Sequence, residues 1–259
     1  MPSERFDITG RTAFITGSSR GIGRALAIGL LEAGATVVLN GRDTGQLDRT
    51  RMELSELHDH ASGAVHAVAF DVTDSAAVAK GISCVERLVG PIDILVNNAG
   101  VQHRAPLTEF TDADWYRLLD SNLSSAFFVG REVARRMVPR AAGKIINICS
   151  LQSAISRPGI APYSATKGGL KMLTKGMCAD LAGNGIQVNA IGPGYFETEL
   201  TAALVADEQF SSWVRTRTPA ARWGKVEDLV GALIFFASPA SDFVNGQILY
   251  VDGGMLAVL

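Results

Sequence analysis

An apolar run of strand length, Thr12-Ala13-Phe14-Ile15-Thr16, stops at Gly17-Ser18-Ser19-Arg20-Gly21-Ile22-Gly23. Apolar or small residues then recur at Ile22, Ala25, Leu26, Gly29, Leu30 and Ala33, the spacing of one helix face, and Gly34 supplies a stop. A chain with this order buries the strand, turns sharply and lays the helix back along it. The turn leaves backbone N–H groups unpaired at the helix N-terminus, where they can receive a pyrophosphate. An ordinary strand–helix turn, using glycine for its permissive φ, is the plainer alternative. The rest of the chain decides between them.

The alternation continues. Val37-Val38-Leu39 reads as a second strand, and Asp43 or Thr44 caps a polar helix running to about His58. Val65 to Phe70 is a third strand, and Asp74 caps a helix over Ser75 to Val89. Ile92 to Val96 is a fourth strand, leading into Asn97-Asn98-Ala99-Gly100. Thr111 opens a helix with Leu118, Leu119, Asn122, Leu123 and Ala126 at helical spacing. Lys144 to Cys149 is a fifth strand, Pro162 to Leu181 a helix, and Ile186 to Ile191 a sixth strand ending in Gly192-Pro193-Gly194. Val226 to Ala237 is a helix and Gln247 to Val251 the last strand. This order predicts an α/β fold over 1–259: a single-domain, doubly wound parallel sheet of the Rossmann type, about seven strands, with helices on both faces. The segment 195–225 lacks a strand pattern and follows a strand end, which predicts a lid over a substrate.

Charge and composition remove several function classes. A formal charge of −2 and an isoelectric point near 6.1 give no electrostatic case for nucleic acid or an anionic membrane. The apolar run Leu229 to Ala237 is too short to span a bilayer, and Met1 to Gly10 carries no signal-peptide core. A cytoplasmic protein is the expectation. Cys84, Cys149 and Cys178 are odd in number and form no CxxC pair, which argues against a disulfide framework. His58, His60, His66 and His103 make no metal-binding pattern, and His58 and His60 diverge on a helix. No metal is expected.

The second strand ends in Asn40-Gly41-Arg42, where a dinucleotide fold reads the adenosine ribose. An acid there binds the 2′-hydroxyl of NAD. Positions 40 to 42 hold none, while Arg42 and Arg20 are available. Two guanidiniums suit a 2′-phosphate. NADP(H) is therefore favoured, with NAD(H) left open.

Ser150 lies at the end of the fifth strand, the ligand edge of an open sheet. Pro162 suits the first turn of the next helix, so Tyr163 and Lys167, four apart, leave it on one face. A neighbouring ammonium favours the phenolate, and such a Tyr exchanges protons with an alcohol or carbonyl oxygen. The plain alternative is a surface Tyr and Lys on an amphipathic helix. Asn122, amid an apolar stripe, is either a backbone binder or part of a polar relay.

Taken together, Thr16-Gly17-x3-Gly21-x-Gly23, Asn97-Asn98-Ala99-Gly100, Asn122, Ser150, Tyr163-x3-Lys167 and Pro193-Gly194 resemble the short-chain dehydrogenase/reductase family over almost the whole chain. The resemblance implies Tyr163 as general acid/base and Lys167 as the group that lowers its pKa and holds the nicotinamide ribose. Ser150 would bond the reacting oxygen, and Asn122 would hold a relay water. Gly17, Ser19, Arg20, Gly21, Ile22 and Gly23 would receive the pyrophosphate end, with Arg42, Asp71 and Val72 around the adenosine. Asn98, Ala99, Gly100, Pro193, Gly194 and Thr198 would complete the cofactor site. It also implies a homotetramer.

For the substrate, polar residues near the strand ends (Gln102, His103, Arg104, Gln152 and Glu197) favour a small sugar acid. Arg104, Ser150, Gln152, Tyr163 and Tyr195 are its expected contacts. A reductase of 3-oxoacyl groups on a carrier protein is the rival, and would use a basic docking patch such as Arg131, Arg135 and Arg136. Another sugar or polyol dehydrogenase of the same family is a second alternative. A nucleotide sensor with a dead site is disfavoured by intact Ser150, Tyr163 and Lys167.

Overall fold

The computed structural model describes residues 2–57 and 65–258. His58 and His60, and the end of the helix read up to His58, lie outside the described residues.

The chain alternates as the sequence implies. β1 (Thr12–Ile15) feeds α1 (Gly21–Glu32), and β2 (Thr36–Gly41) feeds α2 (Thr44–Leu57). Asp43 is the cap here, since its carboxylate accepts from the N–H of Gln46 at 2.9 Å. β3 (Val65–Ala69) precedes α3 (Ser75–Val89), whose cap Asp74 accepts from the N–H groups of Ala76 and Ala77. β4 (Ile94–Asn97) starts two residues later than expected. Just before it, the Asp93 backbone still bonds to Thr12 and Lys144, and its carboxylate accepts from the N–H of Thr12 at 3.0 Å.

The stretch opened by Thr111 is not one regular helix. α4 (Asp112–Leu119) passes through a π-helical turn, Asp120–Ser124, into α5 (Ser125–Met137). Such a turn shifts which residues face inward, and it is where Asn122 sits. β5 (Gly143–Ile148), α6 (Ala161–Leu181) and β6 (Ile186–Pro193) follow. Residues 195–225 hold no strand but do fold, into α7 (Ala202–Ala206) and α8 (Glu208–Arg217), with an isolated parallel bridge from Phe196 to Gly224 tying the two ends. The next helix begins as a 3₁₀ turn, Val226–Leu229, before α9 (Val230–Ala237), and β7 (Ile248–Val251) closes the sheet.

All seven strands are parallel, in the order β3-β2-β1-β4-β5-β6-β7. β1 sends Ala13 and Ile15 to one face and Phe14 to the other. The first face packs on Leu26 and Leu30 of α1, Leu47 and Leu54 of α2, and Leu233 and Phe236 of α9. The second packs on Val78, Ile82 and Val85 of α3 and on Val129 and Val133 of α5. Each such fully buried side chain contributes ~1.5–3 kcal/mol. Strand order reverses at β1, so a crevice opens between the ends of β1 and β4.

Candidate active site

The glycine turn sits at that crevice. Gly17 and Gly21 have φ of +60° and +56°, which side chains disfavour, and a Cβ on Gly23 would collide with the Asn98 amide and the carbonyl of Gly17. Arg20 occupies the N-cap of α1 with extended backbone and caps it with no side-chain hydrogen bond, unlike Asp74 on α3 or Thr111 on α4. The first-turn N–H groups of α1 are thus open to an anion in the crevice.

The turn after β4 is bound to the glycine turn. Asn98 donates its side-chain amide to the carbonyls of Thr16 (3.0 Å) and Gly17 (2.9 Å). Thr16 Oγ1 accepts from the N–H groups of Asn98 and Ala99, each at 3.0 Å. Thr16 was quoted in the sequence as part of a motif, and its clamp across eighty residues becomes visible only in the fold.

Every residue expected to hold a dinucleotide, from Arg42, Asp71 and Val72 at one end to Pro193, Gly194 and Thr198 at the other, lines one cleft of about 910 Å³. Asn122, Ser150, Tyr163 and Lys167 line it too. The uncapped helix end and the glycine cradle fit a dinucleotide. At the adenosine end no acid occupies positions 40 to 42. Asn40 is buried and spends its amide on the carbonyls of Val68 and Phe70. Arg42 is mostly exposed and lies 3.6 Å from Asp71, whose carboxylate is fixed by the N–H and hydroxyl of Thr73. Those donors and Arg42 hold Asp71 below the usual carboxylate range despite its partial burial.

Ser150 caps a short 3₁₀ turn, Leu151–Ser153, which fixes its extended backbone; its hydroxyl accepts from the N–H of Gln152 at 3.1 Å and stands near enough to the Tyr163 phenol to act on it. Burial pushes that phenol's pKa up, while Ser150 and the charge of Arg104 oppose the rise. Lys167 does not do what its spacing suggests. Its Nζ donates to the carbonyl of Ile148 at 2.7 Å, and burial lowers its pKa. Its Nζ lies 5.9 Å from the centre of the Tyr163 ring, and the charge of Arg104 also favours the phenolate. Asn122 is almost wholly buried; its Oδ1 accepts from the N–H of Val101 at 2.7 Å, and its Nδ2 donates to the carbonyl of Val101 and to Thr166. Of the two roles open to it, its side chain is taken up as a backbone binder that braces the Gly100 turn against α6.

Arg104, Gln152 and Tyr195 gather beyond the cleft, on the open side of Tyr163. Burial pushes the Tyr195 phenol up, and Arg157, Arg104 and Gln152 stand near enough to oppose that rise, while Arg104 acts on Tyr163 as well. Arg157 escaped the sequence reading although it stands in the loop between Ser150 and Tyr163. No local spacing links it to Tyr195. Of the basic residues Arg131, Arg135 and Arg136, the last two pair with Glu132 and Arg136 also with Glu86, while Arg131 is exposed and lies over Phe127 and Phe128.

A family model described as enoyl-(acyl carrier protein) reductase matches residues 17–256. The chain is 56 % identical over 254 residues to a gluconate 5-dehydrogenase of Gluconobacter oxydans, covering 98 % of each. It is 48 % identical to a 5-keto-D-gluconate 5-reductase of Escherichia coli, over 99 % of this chain and 100 % of the relative. A solved gluconate 5-dehydrogenase of Burkholderia cenocepacia, in complex with NADP and tartrate, superposes with a TM-score of 0.94 at 54 % identity and full coverage of both chains. Fold, cleft and relatives agree across the length of the molecule: the chain is an oxidoreductase that belongs to the short-chain dehydrogenase/reductase family.

Proposed function

We propose that the chain interconverts D-gluconate and 5-keto-D-gluconate with NADP(H). The observation that supports this reading is the guanidinium of Arg104 within electrostatic reach of the Tyr163 phenol, which suits an anchor for a carboxylate beside a proton donor. The gluconate-acting relatives and the NADP-bound neighbour support it.

A nicotinamide in the cleft supplies the hydride donor or acceptor. Gly17, Gly21 and Gly23 with the open end of α1 receive its pyrophosphate, and Lys167 and Thr198 hold the nicotinamide half. Arg20 and Arg42 face the 2′-phosphate. Ser150 and Tyr163 bracket the reacting oxygen at C5. In reduction the Tyr163 hydroxyl gives its proton to the ketone oxygen as it becomes an alkoxide; in oxidation the phenolate takes the hydroxyl proton. Asn122 keeps the Gly100 turn and α6 in register through its side chain, which leaves its main chain to reach a relay water beside Tyr163. Arg104 fixes the acid end, which sets the carbon presented for reaction. Residues 195–225 close over the substrate as a lid. The chain works as a cytoplasmic homotetramer.

The rival activity on carrier-bound 3-oxoacyl groups has a weaker docking patch to use, since Arg135 and Arg136 are paired with Glu132 and Glu86 and only Arg131 stands without a carboxylate partner among the described residues. NADPH oxidation measured with 5-keto-D-gluconate, acetoacetyl thioester and simple ketones separates the activities. A higher kcat/KM with the thioester than with the keto acid rejects the proposal.

A further inference from the structure

Two positive side chains, Arg104 and Arg157, stand on loops tied together at the substrate end, where the N–H of Ala105 donates to the carbonyl of Gly159 at 3.2 Å. Among the described residues neither Arg104 nor Arg157 forms an ion pair with a carboxylate. Arg157 is half-buried; its guanidinium lies over the ring of Phe210, 5.4 Å from its centre, and Phe210 in turn packs edge-on against the phenol ring of Tyr195. That π face and phenol tolerate a cation without neutralising it. The proximity of the two charges, with partial loss of water, pulls the proton affinity of Arg104 down. An anion between them removes this repulsion.

A second observation comes from Gln152. Gln152 is only 9 % exposed, and its Oε1 is buried with no hydrogen-bond partner, while its amide stands near enough to Tyr195 to act on that phenol. A buried acceptor left unpaired costs ~1–3 kcal/mol, so this atom is matched by a donor that arrives with the substrate. The neighbourhood thus offers cationic forks for an acid and one acceptor for a hydroxyl.

We infer that Arg157 is a specificity-determining residue: with Arg104 it clamps the substrate carboxylate, and Gln152 Oε1 accepts from a hydroxyl of the same molecule, so the site selects hydroxy acids. This rests on the reading that the substrate is an acid, and extends it to which groups read that acid. Arg157 also bridges to the lid through Phe210 and Tyr195, so a bound carboxylate holds the lid segment near the reacting centre.

The test uses binding without turnover. Gluconate added to enzyme with NADPH cannot react, because both are reduced. Trp213 and Trp223 each lie 5.8 Å from the Tyr195 ring, so their fluorescence reports occupancy. The titrants are gluconate, its neutral amide gluconamide, and malonate, a carboxylate with no hydroxyl. Replacing Arg157→Met should weaken gluconate and malonate by roughly tenfold or more and gluconamide less than about threefold, with partial recovery in Arg157→Lys. Gln152→Leu should weaken gluconate but not malonate. Equal losses for gluconate and gluconamide in Arg157→Met, or no loss for malonate, reject the clamp and leave Arg157 as a brace for the lid. Failure of the wild type to bind any carboxylate also rejects it. Malonate binding that depends on Arg157, without gluconate binding, upholds the clamp and rejects the gluconate reading instead.

Discussion

Lys167 stands with its Nζ 5.9 Å from the centre of the Tyr163 ring, donating to a backbone carbonyl and not to the phenol. The phenol, raised by burial, is therefore protonated near neutrality and ready to give a proton to a ketone. The reductive direction should run well at neutral pH. Oxidation needs the phenolate, so its kcat/KM should climb as pH rises towards the Tyr163 pKa. An oxidative rate that falls over the same alkaline range contradicts the assignment.

Arg104 pulls the same phenol down. Arg104→Ala should therefore shift the oxidative limb to still higher pH, measured on a neutral alcohol so that carboxylate binding plays no part. A limb that stays in place would show the charge is screened.

Tyr163→Phe keeps the ring and removes the proton. Turnover should drop by roughly 10²–10⁴ while NADPH still binds, checked by nucleotide fluorescence titration beside the rate. Near-normal turnover means another group donates.

Loss of one charge-assisted bond costs ~1.5–3 kcal/mol, so Arg42→Ala should weaken NADP(H) about tenfold or more and leave NAD(H) nearly unchanged. Calorimetric titration with both nucleotides decides this. Equal losses remove Arg42 from 2′-phosphate recognition.

At the acid end, Arg104→Ala should lower kcat/KM for 5-keto-D-gluconate by roughly 10- to 100-fold, with a much smaller loss for a neutral ketone of similar length. Parallel losses in steady-state kinetics would assign Arg104 to loop support.

The helix caps Asp74 and Thr111 and the glycine turn were legible because a local spacing dictates each of them. The π turn around Asn122 was not, since its neighbours Leu118, Leu119, Leu123 and Ala126 keep a spacing that a regular helix also satisfies. Tyr163 and Lys167 were correctly placed on one helix, yet the partner of Lys167 is a carbonyl of β5, nineteen residues away in sequence. Arg157 stayed hidden for a related reason: its partners, Tyr195 and Phe210, are supplied by the lid segment across the fold. Residues 195–225 gave no strand signal and were too short-ranged in pattern to announce α7 and α8.

The clamp between Thr16 and the Asn98–Ala99 turn has a bearing on synthesis. A nascent chain that has emerged only as far as α3 possesses the glycine turn but lacks the wall that Asn98 provides, and the other end of the cleft waits for Gly194. Nucleotide cannot rescue the early intermediate, because it stabilises only a form that already binds it. The first strands must hold together through their own ladder and the apolar packing of Leu26, Leu30 and Val37, without the nucleotide. On stalled ribosomes, NADPH should protect from protease only those chains that extend past Gly194.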